Sequence, residues 1–271
     1  MKITRQPLYG LNGRARRKPA RWGACLLLWT LLAACAGIKA PPPRVPVGSE
    51  VLLERLQTLA TAFASLRGQA KVRIETGGES FTGNQVLLAQ KPDLLRAETL
   101  SPFGTPVLVV AAGSGGINVL IPGEGRFLSG ESSLRNIQRF TRLPLQLTDL
   151  VHLLLYQAPV IPYIETTVVA GEDGGHRLLL DGEAGVRQEL VFDRELRLLR
   201  VVYFQGAARV LEIDYGRFTS EAPPFPRSMR LEMPERQSTA SLTFSEVDLN
   251  RSIPAALFSL APPVGYSIEP L

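Results

Sequence analysis

Histidine, cysteine and tryptophan are scarce in this chain, two of each among 271 residues. Both tryptophans and Cys25 fall before residue 35, so the body of the chain keeps one cysteine, Cys35, and two histidines, His152 and His176, far apart in sequence. That excludes a zinc constellation, a Cys–His nucleophile pair and an internal disulfide. Neither a G-x-S-x-G elbow, a phosphate-binding loop nor a paired-glycine dinucleotide fingerprint occurs between a strand and a helix. The glycine-rich Gly113-Ser114-Gly115-Gly116 joins two strand-like runs and reads as a hairpin turn. Without these groups, the expectation is a protein that is not an enzyme and takes no metal or cofactor.

Acidic residues are missing altogether before Glu50, while seven basic residues precede an apolar run from Ala24 to Ala34. A basic region, a short apolar segment and small residues at a cleavage point make an export signal. The run is too short for a membrane span, which needs about 20 apolar residues. It ends in Leu32-Ala33-Ala34-Cys35, which resembles the bacterial lipobox. The motif implies that residues 1–34 are removed and that Cys35 carries the acyl chains. Ala36 follows where many inner-membrane lipoproteins have aspartate, which favours the outer membrane, with the domain tethered on its periplasmic face. Pro41-Pro42-Pro43 and Pro46 make 35–48 a semi-rigid linker.

The formal charge of +5 belongs to the leader. Seven of the 30 basic residues and none of the 25 acidic ones precede residue 35, leaving 23 against 25, a net charge of about −2. No basic footprint for nucleic acid remains. Aromatics at 7% and short strand-like runs argue against a transmembrane barrel, which needs strands of about 9–11 residues and aromatic girdles.

What is present is patterning. Leu52, Leu56, Leu59 and Phe63 recur at steps of three and four, predicting a helix over 50–66 with Ser49 as its N-cap and Gly68 just past its end. From Gly68 the period becomes two. Strands are predicted there and near 80–89, 93–100, 106–112, 116–121 and 125–128. Two short helices follow between 131 and 156, capped at Ser132–Ser133 or Thr148, with Leu147, Leu150, Val151 and Leu154 on one apolar face. Seven further strands are predicted near 165–171, 176–181, 187–193, 198–204, 208–215, 226–233 and 238–248. The fold expected is mainly β with helices: an incomplete antiparallel barrel of about 11–13 strands, capped by helices over an apolar cavity, in a single domain at 49–271. Val72, Ile74, Leu88, Leu95, Val107 and Val109 are the strand residues assigned to the cavity lining, with the four helix residues above.

The run Leu94-Leu95-Arg96-Ala97-Glu98-Thr99-Leu100-Ser101-Pro102-Phe103-Gly104, followed by Thr105-Pro106-Val107-Leu108-Val109-Val110, resembles the LolB family of outer-membrane lipoprotein receptors. The order of elements agrees: lipidated cysteine, proline-rich spacer, amphipathic helix, strands, two short helices, more strands. The stretch from Ile253 to Gly265 is similar to the tails of broader LolA/LolB-fold envelope lipoproteins. The resemblance implies a monomer that takes lipoprotein acyl chains, or another lipid, from a soluble periplasmic LolA-like carrier. It also implies that Phe103, between Pro102 and Gly104, places the cargo in the membrane. The competing expectation is a structural or interaction lipoprotein of an envelope complex, with the same fold and a filled interior.

Overall fold

The computed structural model describes residues 47–271. The expectations for the export signal, for Cys35 and for most of the linker lie outside the described residues.

Helix α1 (Ser49–Ala62) buries Leu52, Leu56 and Leu59, the stripe that its periodicity predicts. Its N-cap is Gly48 and not Ser49, with no side-chain cap, and Glu50 sits favourably in the first turn. The helix also stops four residues short of the predicted Leu66. Asn250, reaching across from the far end of the chain, donates to the Ala62 carbonyl and accepts from the Ala64 amide, both at 2.8 Å. Those bonds satisfy the helix end and release the backbone into a strand. Gly68 therefore lies inside that strand, where a Cβ would sit 2.5 Å from the Glu246 carbonyl oxygen.

Two antiparallel meanders follow. The first comprises β1 (Ser65–Thr76), β2 (Glu79–Gln90), β3 (Leu94–Leu100), β4 (Pro106–Gly113), β5 (Gly116–Ile121) and β6 (Arg126–Gly130). Two short helices come next, α2 (Leu134–Thr141) and α3 (Leu147–Leu154). The second meander comprises β7 (Glu165–Ala170), β8 (His176–Asp181), β9 (Val186–Phe192), β10 (Leu198–Gln205), β11 (Ala208–Phe218), β12 (Pro226–Met233) and β13 (Ser238–Leu249). Pairing of β1 with β13 along their lengths, Leu66 opposite Leu249 through Thr76 opposite Ser238, joins the meanders into one sheet. The sheet is open and curls into an incomplete barrel, with β7 at one edge.

The other edge holds a strand absent from the prediction. β14 (Ser267–Pro270) runs parallel to β6, the one parallel pairing among the described strands, and brings the total to fourteen. Its four residues carry no alternation long enough to register as a strand. Arg126 fixes it through a two-point contact with Glu269 (3.0 and 2.7 Å), which holds the Glu269 carboxyl below the usual carboxylate range.

The helices lie on the inner face. Ser133 caps α2 by accepting from the Asn136 amide, whereas α3 starts from Gln146 and not Thr148, without a side-chain cap. The main core joins the α1 stripe, Ile137 of α2, all the buried leucines of α3 and alternate residues of the strands. On the outer face, Leu88 packs with Ile253, Phe258, Val86 and Leu94 in a smaller cluster beneath the C-terminal segment. Arg96 secures that segment by donating to the Leu257 carbonyl at 2.9 Å.

Candidate functional site

The inner face is not uniformly filled. Toward the second meander, Tyr156 stands at the centre of an aromatic cluster with Phe63, Tyr215, Phe218 and Phe225 at ring separations of 4.9–6.5 Å. Tyr156 follows α3 with φ 57°, a left-handed backbone that turns its ring inward. Its hydroxyl donates to the Leu198 carbonyl at 2.9 Å. The linker behind it is held by the Pro159 carbonyl, which accepts from Tyr203 (2.6 Å) and from the fully buried Gln188 (2.9 Å). Burial pushes the Tyr156, Tyr203 and Tyr215 hydroxyls above the ordinary tyrosine range, so all three stay neutral.

Toward the first meander the same face encloses a hollow of about 680 Å³, inside the roughly 300–1,000 Å³ of small-molecule sites. The residues that would fill it are small. Ala97 of β3 and Ala240 of β13 contribute single methyl groups. Leucine, isoleucine, valine and methionine make up the rest of the deep wall, roofed by Leu150 and Leu154 of α3. The polar pair on this wall, Gln85 and Thr99, shares a 3.1 Å hydrogen bond, Gln85 donating. Such a wall can take apolar matter.

Of the residues assigned to the lining from sequence, Val72, Ile74, Leu95, Leu150 and Leu154 meet at this hollow. Leu147 and Val151 are buried in the core, on sides of α3 that do not border it. Val107, Val109 and Leu88 point the other way. Simple alternation sets Val107 and Val109 inward with Thr99 and Ala97. A one-residue bulge intervenes: Leu100 pairs with Pro106 but Thr99 pairs with Leu108, leaving Val107 without a partner position. The bulge reverses the parity of β4, so Leu108 and Val110 line the hollow, while Val109 is buried on the outer face and Val107 is exposed. Leu88 is outward because Leu87 is inward; the run from Val86 to Ala89 is apolar on both faces, since the C-terminal segment covers its back.

The sequence reading also missed the rim. Phe140, Thr141, Arg142 and Leu143, at the end of α2 and just beyond it, face Thr76, Glu79, Ser80 and Phe81 of the β1–β2 hairpin. Arg142 takes a left-handed backbone (φ 61°) and pairs with Glu79 at 3.4 Å across the opening. Polar helix ends look like ordinary solvated surface in a sequence, so only the fold shows that they form a mouth.

The β3–β4 turn is a separate feature. Pro102, Phe103 and Gly104 are all exposed, and Phe103 has 93% of its surface in solvent. The ring does not fold back, because the turn beneath it is tightly bonded. Ser101 accepts from the Gly104 amide (3.0 Å) and donates to the Thr105 carbonyl (2.8 Å) through its backbone. Its hydroxyl also accepts from the Phe103 amide (3.2 Å) and meets the Thr105 hydroxyl (2.8 Å). Gly104 adopts φ 83°, a conformation that favours glycine.

No family model and no curated protein matches this sequence. Solved structures do resemble the fold. A DUF1329 family protein from Desulfovibrio piger superposes with a TM-score of 0.51 at 18% identity, over 77% of this chain and 95% of that one. A domain described as an outer membrane lipoprotein-sorting protein from Vibrio parahaemolyticus gives 0.50 at 14% identity, over 77% and 94%. A LolA superfamily protein from Nitrosomonas europaea gives 0.49 at 13%, over 79% and 98%. At such identities the likeness is one of architecture alone: the chain shares its open half-barrel fold with these structures.

Proposed function

We propose that this protein is an envelope lipoprotein that binds acyl chains in the hollow of its half-barrel, working by solvation without bond-making. The observation that carries the reading is the 680 Å³ apolar hollow on the inner face, roofed by Leu150 and Leu154. Each methylene moved from water into such a wall gains about 0.8 kcal/mol, so a chain of ordinary length is held without any charged contact. The likeness in fold to a lipoprotein-sorting domain supports the same reading.

The finer proposal is LolB-like: an acylated Cys35 tethers a monomer to the periplasmic face of the outer membrane, where it receives lipoprotein acyl chains from a soluble LolA-like carrier and releases them into the bilayer. The exposed Phe103, held out on a rigid turn, supports a contact with lipid at the moment of transfer. The test is to purify the full chain carrying Cys35→Ser without detergent and extract it for mass spectrometry. Acylated species should co-purify, and Val72→Trp should displace them. A ligand-free protein that binds no added acyl chain but retains an envelope complex would favour the scaffold reading instead.

A further inference from the structure

Three charged side chains border the hollow, and all three are at its mouth: Glu79, Arg139 and Arg142. Two are cations and one is an anion. Arg142 has Glu79 as a partner at 3.4 Å, with both side chains more than half exposed, a pair that a better-placed anion can replace. Arg139 has no carboxylate within ion-pair distance among the described residues. Its guanidinium is 5.4 Å from the Phe140 ring, and the nearby Glu269 is already engaged by Arg126 at two points. Thr76, on the inward parity of β1, adds a hydroxyl at the rim. Deep in the hollow there is no charge, and Gln85 and Thr99 share a hydrogen bond.

Both arginines come from the last turn and C-cap of α2, where a cation is also favoured by the helix dipole. That role needs no opening beneath it. Here the same residues overhang an apolar cavity, and charge is confined to one end of it. We infer that the ligand is an amphiphile with an anionic head, carboxylate or phosphate, whose chain enters the hollow and whose head is met by Arg139 and Arg142. The inference rests on the hollow holding an acyl chain and adds the class of head group. Lipoprotein acyl chains bring no such anion, so a preference for the acid or the phosphate would replace the LolB-like cargo proposed above with an anionic lipid while keeping the acyl-binding hollow.

The experiment uses the full chain carrying Cys35→Ser and a fluorescent neutral acyl ester as reporter. A fatty acid, the alkyl phosphate and the fatty alcohol of the same chain length compete for it below their micellar concentrations. The expected result is that the acid or the phosphate competes about five- to tenfold better than the alcohol, as two exposed charge contacts allow. The larger of the two effects identifies the head group. Arg139→Gln with Arg142→Gln should abolish that preference while leaving the alcohol unchanged, and Arg139→Lys with Arg142→Lys should keep most of it. Glu79→Gln should strengthen the acid by up to about threefold, because Arg142 loses its competitor. Raising the ionic strength should narrow the gap in the unaltered protein. Equal competition by acid, phosphate and alcohol would overturn head-group recognition and leave the hollow reading intact. Failure of the reporter to bind at all would overturn both.

Discussion

One sheet face behaves in two ways. Where β9–β12 contribute it, Tyr156, Phe63, Tyr215 and Phe225 interlock as a packed aromatic cluster. Where β1–β4 and β13 contribute it, Ala97 and Ala240 leave a gap that helices roof without filling. The same topology supports both, so the difference lies in side-chain volume and not in backbone. The packed end supplies the rigidity that lets the open end stay open: a cavity forfeits dispersion contacts along its wall and needs a stable surround.

Four substitutions probe that contrast. Tyr156→Ala removes the keystone of the packed end and should cost about 3–5 kcal/mol in urea unfolding. A loss as small as that of a surface substitution would mean the cluster is not the stabilising half. Overpacking separates the ends more directly. Ile213→Phe, in the filled region, should cost about 1–3 kcal/mol. Ala97→Phe, in the hollow, should leave stability nearly unchanged while weakening acyl-probe binding about tenfold, or about 1.4 kcal/mol. Equal stability costs at the two positions would erase the distinction. Tyr215→Phe is a subtler case. The Tyr215 hydroxyl is buried with no hydrogen-bond partner among the described residues, so its removal should raise the midpoint of thermal unfolding or leave it unchanged, by up to about 1 kcal/mol. A clear loss would reveal a partner for it. Phe103→Glu lies outside both regions and should alter stability by no more than about 0.5 kcal/mol, yet abolish delivery of bound acyl cargo to liposomes. Undiminished delivery would remove the turn from the mechanism.

Much of this architecture is legible in the chain itself, because period-two and period-3.6 patterns are set by which faces are buried. The alternation in β1 places Val72 and Ile74 on the inner face directly, and the leucine stripe of α1 defines its buried side. What could not be read depends on contacts between distant segments. A single unpaired residue at Val107 inverts β4, and no local pattern marks it. Asn250 ends a helix that begins 201 residues earlier at Ser49, so the helix boundary is invisible near the helix. Leu88 looks like a cavity residue until the C-terminal segment covers it. The arginines of the mouth are the extreme case, since their meaning comes from the empty space beneath them.

The seam between β1 and β13 has a consequence for how the molecule is made. The first strand of the sheet lies in its middle, and its second neighbour is the last strand of the second meander. During synthesis from the N-terminus, β1 must wait with one side unpaired until nearly the whole chain has emerged, and closing so long a loop slows folding. A chain cut short before Ser238 would expose a long unpaired border at the centre of the sheet, where a protease or chaperone could recognise it as unfinished.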